Sequence, residues 1–214
     1  MKKTLTLLAL LLSVSFFAQT EIKEGVITFS QKMSSPDEQV KAQLAMLGDM
    51  TSVTYFKGSK SRSEISNPMS GKIININDVK TNEALMLMDN PMLGKKYKFQ
   101  TSTEISKQLE NADITKGDKT KTVLGYECQQ YLVKAQQEGV EMSMEMYLTE
   151  AIVAASQHGS ILGEKVKGFP LYIETKMNQM GMEMIIYTEA TEIKKEAVSD
   201  DLFSLTPPEG YEKL

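Results

Sequence analysis

The sequence predicts a mainly β (α+β) fold, a large curved antiparallel sheet or half-barrel with two or three helices packed on its concave side. Three observations carry that expectation. Most segments beyond residue 20 alternate apolar and polar residues with period two and are bounded by Gly, Asn, Asp or Pro, as antiparallel strands are. Two stretches instead open with a capping box and continue at helical spacing. A hydrophobic fraction of 41% and a charged fraction of 24% are those of a globular chain, and they exclude disorder and fibrous repeats.

The elements follow in order. Lys2 and Lys3 precede an apolar run that ends at Leu12 and a Ser13–Gln19 segment with a small residue, Ala18, at a cleavage position. Residues 1–18 therefore read as a secretory signal peptide, and 19–214 as a single domain undivided by any Gly/Ser linker. The apolar run is too short to span a bilayer, and no Cys follows it to carry a lipid, so the expected location is periplasmic or secreted, with no transmembrane segment in the mature chain. Removing Lys2 and Lys3 takes the net charge from −4 to −6, which opposes binding to nucleic acid.

Gly25–Met33 reads as the first strand. Ser35-Pro36-Asp37-Glu38 starts a helix, with Ser35 as cap, Pro36 in the first turn, Val40, Leu44 and Leu47 on one face, and Gly48 at its end. Ser52–Lys57 and Lys60–Ser66 form a hairpin across Gly58-Ser59. Gly71–Asn77, Ala84–Asp89 and Lys95–Gln100 are further strands, and Thr101–Ala112 a second helix. Lys121–Ala135 reads as one strand with a bend or bulge at Gly125, followed by Val140–Thr149, Pro170–Asn178 and Met182–Lys194. Glu150–Gly168 reads as loop plus a short helix around Gln157–Lys165.

Gly25-Val26-Ile27-Thr28-Phe29, Val53-Thr54-Tyr55-Phe56-Lys57-Gly58 with Lys60, Arg62 and Glu64, Leu124-Gly125-Tyr126-Glu127-Cys128, Lys167-Gly168-Phe169-Pro170-Leu171, and Phe203 with Pro208-Glu209-Gly210-Tyr211 come in an order that resembles an exported bacterial family, domain of unknown function 4412 (DUF4412). The resemblance covers most of the mature chain. It implies a relation to the periplasmic lipoprotein-carrier (LolA/LolB-like) fold, an incomplete antiparallel barrel wrapped around helices with a hydrophobic cavity. It implies no catalytic residue.

The methionines are the sharpest local feature. Met142, Met144 and Met146 share one strand face, Met180, Met182 and Met184 another, and Met86 and Met88 a third. Three readings stay open: flexible packing of an irregular core, an adaptable pocket for acyl chains, or soft ligands for Cu(I). On the pocket reading, Met86, Met88, Met142, Met144, Met146, Met182 and Met184 bind a lipid or a lipoprotein acyl chain. The expectation is accordingly a non-catalytic envelope protein without cofactor. A structural or interaction module with a closed Met-rich core is the alternative, followed by a periplasmic Cu(I)-binding protein.

His158 lies between Gln157 and Gly159 with no partner for catalysis, and Cys128, the lone Cys, reads as a buried free thiol. Arg62 with Glu64 reads as a solvated pair on one strand face, and Glu141, Glu145 and Glu183 as the solvent side of the methionine strands. No zinc spacing or phosphate-binding glycine loop is present.

Overall fold

The computed structural model describes residues 21–46, 48–67, 71–101, 112–137, 140–154, 166–179 and 181–214. Its elements are β1 (Glu24–Ser34), α1 (Glu38–Ala45), β2 (Met50–Lys57), β3 (Lys60–Asn67), β4 (Gly71–Asp78), β5 (Glu83–Asn90), β6 (Gly94–Thr101), β7 (Asp113–Val123), β8 (Tyr126–Gln137), β9 (Val140–Thr149), β10 (Phe169–Gln179), β11 (Met182–Lys194), a 3-10 turn (Asp200–Phe203) and β12 (Glu212–Lys213). The strands form one twelve-stranded open sheet in the order β12-β6-β5-β4-β3-β2-β1-β11-β10-β9-β8-β7. Every neighbouring pair is antiparallel except β12 with β6.

The sheet is strongly curved. Phe56 on β2 and Phe169 on β10 are three strand steps apart, about 14 Å on a flat sheet, yet their ring centroids lie 6.3 Å apart. Phe29 on β1 stands at the same 6.3 Å from Phe169, so the three rings meet on what must be the inner face. The same end is tied shut by backbone. Ile22 donates to the Ala151 carbonyl (2.8 Å) and Val153 to the Ile22 carbonyl (2.9 Å), which joins the approaches to β1 and β9 across two intervening strands. Ile22, Ile152, Val123, Cys128 and Leu171 pack into this plug around the three phenylalanines.

The outer face of β3–β6 is covered by the C-terminal segment. Val198 and Phe203 are buried against Ile74, Ile76, Leu85 and Leu87, and burial of Phe203 alone is worth about 1.5–3 kcal/mol. Polar contacts hold the segment in place. Arg62 Nη1 donates to the Leu202 carbonyl (3.1 Å), the Val198 N–H to Glu24 (2.7 Å), and Lys57 bridges to Asp200 (3.3 Å). Downstream, β12 pairs with Lys96 and Tyr97 and so protects part of the edge strand β6.

These findings overturn the α+β expectation of two or three helices on the concave side. Among the described residues there is one α-helix, α1, only eight residues long and without a buried residue. It lies against β1, and the residue two before its cap is anchored to β11 by Ser35 Oγ donating to the Glu183 carbonyl (2.7 Å). Its cap is Asp37, not Ser35: the Asp37 carboxylate accepts from Gln39 N (2.8 Å) and Val40 N (3.0 Å). The helix expected over Thr101–Ala112 lies, but for its two end residues, outside the described residues, and the one expected around Gln157–Lys165 lies wholly outside them. The layer that does cover a sheet face is the C-terminal segment, whose Pro207, Pro208 and Gly210 oppose helix formation.

A second correction concerns Gly125. It marks no bend within one strand but the turn between β7 and β8, where Leu124 (φ 50°) and Gly125 (φ 83°) both take the left-handed conformation of a two-residue hairpin. That division, together with an unforeseen start of β7 at Asp113 and the short β12, makes twelve strands rather than the roughly ten expected.

Candidate ligand-binding face

The register defines the inner face residue by residue. In order across the sheet it carries Ala84, Met86 and Met88 (β5), Ile73, Asn75 and Asn77 (β4), and Ser61, Ser63 and Ile65 (β3). Met50, Ser52, Thr54 and Phe56 (β2) and Ile27, Phe29, Gln31 and Met33 (β1) continue it. Met184, Ile186, Thr188 and Ala190 (β11), Ile173, Thr175 and Met177 (β10), Met142, Met144, Met146 and Leu148 (β9), and Tyr131, Val133 and Ala135 (β8) complete it. Over the stretches named, no described residue is Asp, Glu, Lys, Arg or His; the same alternation brings a charge onto this face only at the start of β8, where Glu127 is exposed. The charges alternate with them onto the outer face, as Lys60, Arg62 and Glu64 do around Ser61 and Ser63.

At the centre of the inner face lies a cleft of about 200 Å³ between β1–β4 and β10–β11. Its apolar surfaces are Phe29, Phe169, Pro170 and Ile173 towards the plug, and Ile65 and Ile186 towards the open end. Its polar surfaces are the hydroxyls of Ser52, Thr54, Ser61, Ser63, Thr175 and Thr188 and the amides of Gln31 and Asn77. Gln31 Nε2 donates to Thr188 Oγ1 (3.2 Å) and Thr54 Oγ1 lies 3.4 Å from Ser63 Oγ, so the wall is ordered as well as polar.

Around the open end runs an apolar row. Met142, Met177 and Met184 stand directly opposite one another on β9, β10 and β11. Met33 and Met50 follow on β1 and β2, then Ile65, Ile73 and Met88 directly opposite one another on β3, β4 and β5. All eight are half-buried, so the row presents apolar surface without being closed over.

The seven methionines expected to line a pocket separate into three groups. Met144 (6% exposed) and Met146 (0%) are closed in a core with Tyr131, Val133, Leu148 and Ile173. Met86, Met88, Met142 and Met184 are half-buried on the inner face, and Met182, at 65%, is exposed. The cleft's hydroxyls escaped the sequence reading, although the alternation of charge with Ser along β3 was their signal. His158 lies outside the described residues.

Cys128 is buried in the plug, as expected, and burial pushes its thiol up to about 11. Arg62 and Glu64, by contrast, are no solvated pair. Their side chains are 17% and 20% exposed, Arg62 Nε meets Glu64 Oε1 at 2.6 Å, and Lys72 meets Glu64 Oε2 at 2.6 Å. Burial pushes the Glu64 carboxyl up, but the hydrogen bonds from Lys72 and Arg62 and their charges outweigh it and hold the group below the usual carboxylate range.

The outer face of β8–β10 carries a different constellation. Tyr147 donates to Glu145 (2.8 Å), Gln130 Nε2 donates to the same carboxylate oxygen (2.6 Å), and Lys121 Nζ sits 3.4 Å from the Tyr172 ring centroid. The Tyr147 hydrogen bond, opposed by burial and joined by that of Gln130, lowers the Glu145 carboxyl, while burial and then Glu174 push Tyr172 up to about 12. Both shifts favour the groups' ordinary protonation states at neutral pH, and the hydrogen bond from Gln130 to Glu145 ties β8 to β9. A cavity of about 540 Å³ nearby sets Lys134 and Lys176 among Asp113, Glu141 and Glu183, mixing both signs of charge.

The class these features define is an open, deeply curved antiparallel sheet whose inner face carries no charged side chain among the described residues that line its central cleft. The chain belongs to the family described as domain of unknown function (DUF4412), whose family model matches residues 24–211. Among solved structures it is similar to PNGF-II in space group C2, with 15% identity, a TM-score of 0.53 and 89% of this chain covered. PNGF-II in space group P21 gives 18% identity, a TM-score of 0.50 and 90% coverage. In both cases the match takes in 31% of the PNGF-II chain, so this chain spans about a third of that length, and the likeness is one of fold. Among curated proteins, none matches the chain. No helix among the described residues is long and apolar enough to cross a membrane.

Proposed function

We propose that this protein is a non-catalytic binding protein, exported to the bacterial envelope, that holds a hydrophobic ligand on the inner face of its curved sheet. The observation that carries the reading is the continuity of the half-buried apolar row on β9–β11 and β1–β5 with the cleft between β1–β4 and β10–β11. Thioethers suit such a surface because they are polarizable and repack around chains of different shape. Each methylene buried there contributes about 0.8 kcal/mol. The site differs from the pocket expected from sequence: Met33, Met50, Met88, Met142, Met177 and Met184 border it, whereas Met144 and Met146 support it from within the closed core.

The test is titration of the mature chain with the neutral apolar fluorophore N-phenyl-1-naphthylamine. Saturable uptake of one molecule per chain is expected, abolished by Ile186→Asp with the far-ultraviolet circular dichroism unchanged. Absence of saturable uptake by the folded protein contradicts the reading.

One observation favours a second reading. Met142, Met177 and Met184 form a row of three thioethers on neighbouring strands, a soft donor set suited to Cu(I). Competition with bicinchoninate under reducing conditions tests it, and failure to withdraw Cu(I) from the chelator excludes it.

A further inference from the structure

Building on the proposed hydrophobic-ligand site, the charge pattern of the same face assigns the ligand's polar end. We infer that the ligand is a single-chain lipid with an uncharged, hydroxyl-bearing head, of the monoacylglycerol class, its head in the cleft and its chain along the methionine row.

A carboxylate or phosphate placed in the cleft is removed from water, at a cost of several kcal/mol unless a cation or several strong donors replace the lost hydration. None of the described side chains lining the cleft is ionisable. On the inner face the nearest cations across β5 are Lys96 and Lys98 of the edge strand β6, two strand steps or about 10 Å beyond the cleft wall at Asn77. Lys96 is moreover engaged by Glu212 at 2.6 Å. A charged head therefore meets hydroxyl and amide donors but, among the described residues of the cleft, no cation to balance it.

A ligand without any polar end fits no better. Hydrocarbon laid over the half-buried Ser52, Ser63, Thr175 and Thr188 would strip water from hydroxyls whose hydrogen-bonding capacity the wall meets only in part, about 1–3 kcal/mol for each group left unpaired. A hydroxyl-bearing head meets both conditions. Hydroxyls and amides each donate and accept, so a glycerol diol can exchange hydrogen bonds with Thr188, Gln31 and Ser63 in either sense. The apolar row beyond Ile65 and Ile186 then receives the chain.

The test compares three ligands with one twelve-carbon chain, monolaurin, laurate and dodecylphosphocholine, each below its micelle concentration, as competitors for bound N-phenyl-1-naphthylamine at pH 8. Monolaurin is expected to displace the probe at a concentration at least tenfold lower than either charged ligand. Thr188→Lys, which places a cation in the cleft, is expected to invert the order in favour of laurate. Thr188→Val, a change of similar volume, is expected to narrow the monolaurin preference to under threefold should the lysine variant fail to fold. Equal or tighter binding of laurate or dodecylphosphocholine to the unaltered protein overturns the neutral head while leaving the hydrophobic-ligand reading intact. Probe uptake that none of the three displaces also overturns it, and absence of probe uptake removes both.

Discussion

Replacing Arg62 with Met probes how the C-terminal segment is fastened to the sheet. The guanidinium spans two elements, reaching Glu64 on β3 at 2.6 Å and the Leu202 carbonyl of the C-terminal segment at 3.1 Å. With side-chain exposures of 17% and 20%, the pair is only partly screened by water. Hydrogen bonds to charged groups contribute about 1.5–3 kcal/mol each, and breaking one partner of a buried pair costs about 3–5 kcal/mol. Glu64 keeps Lys72 at 2.6 Å, so the lower end applies and the expected loss is about 3 kcal/mol. At an m-value of about 2.5 kcal/mol/M, the urea midpoint falls by about 1.2 M. The pH dependence supplies a second reading of the same contact. Glu64 is held below its unfolded value, so its contribution is complete above the unfolded carboxyl pKa and disappears as pH falls through the folded one. The gap between the parent and Arg62→Met should therefore shrink on acidification. A midpoint shift below about 0.3 M, or a gap indifferent to acid, refutes the fastening role.

Three further outcomes are expected. Met146→Ala, in the closed core, should cost about 2–5 kcal/mol by chemical denaturation, whereas Met182→Ala, at 65% exposure, should stay within about 0.5 kcal/mol. Gly168→Ala should lower the melting temperature by roughly 6 °C, because φ is +103° there and the added Cβ would come within 2.6 Å of the Thr149 carbonyl oxygen. Cys128 should be labelled by a thiol reagent at pH 8 only at the rate of unfolding. Since its folded pKa is raised to about 11, the stability it contributes is complete below the unfolded thiol value and declines as pH rises towards 11, which alkaline titration of the urea midpoint measures.

Much of the sheet was legible because alternation is a local signal. The hairpin at Gly58-Ser59 and the strands around Ile74, Leu85 and Tyr97 follow from period-two patterning and turn residues alone. The β7–β8 turn was hidden because Leu124, a residue that rarely takes positive φ, occupies its first position. The helical layer was misjudged for a different reason. A capping box reports that a helix can start, not that its apolar face is buried, and Val40 and Leu44 of α1 are only half-buried. The methionine stripes were visible, but whether a stripe is closed or open depends on the strand opposite. Met144 and Met146 face Val133 and Tyr131, whereas Met184 faces Met177 near the open end. The cleft was least legible of all, since Ser61 and Thr188 become neighbours only when the sheet curves β3 towards β11.

The central claim is that the open methionine row, and not the closed core, receives a neutral ligand. Fourteen of the fifteen methionines of the full sequence lie beyond residue 18, so methyl-labelled methionine gives nuclear magnetic resonance reporters along the mature protein, and titration with monolaurin reads their positions directly. Saturable shifts are expected at Met33, Met50, Met88 and Met184, with Met146 in the core and Met182 on the surface unmoved. Shifts confined to Met46, Met92 and Met182, exposed methionines outside the row, or no saturable shift at all, would contradict the claim.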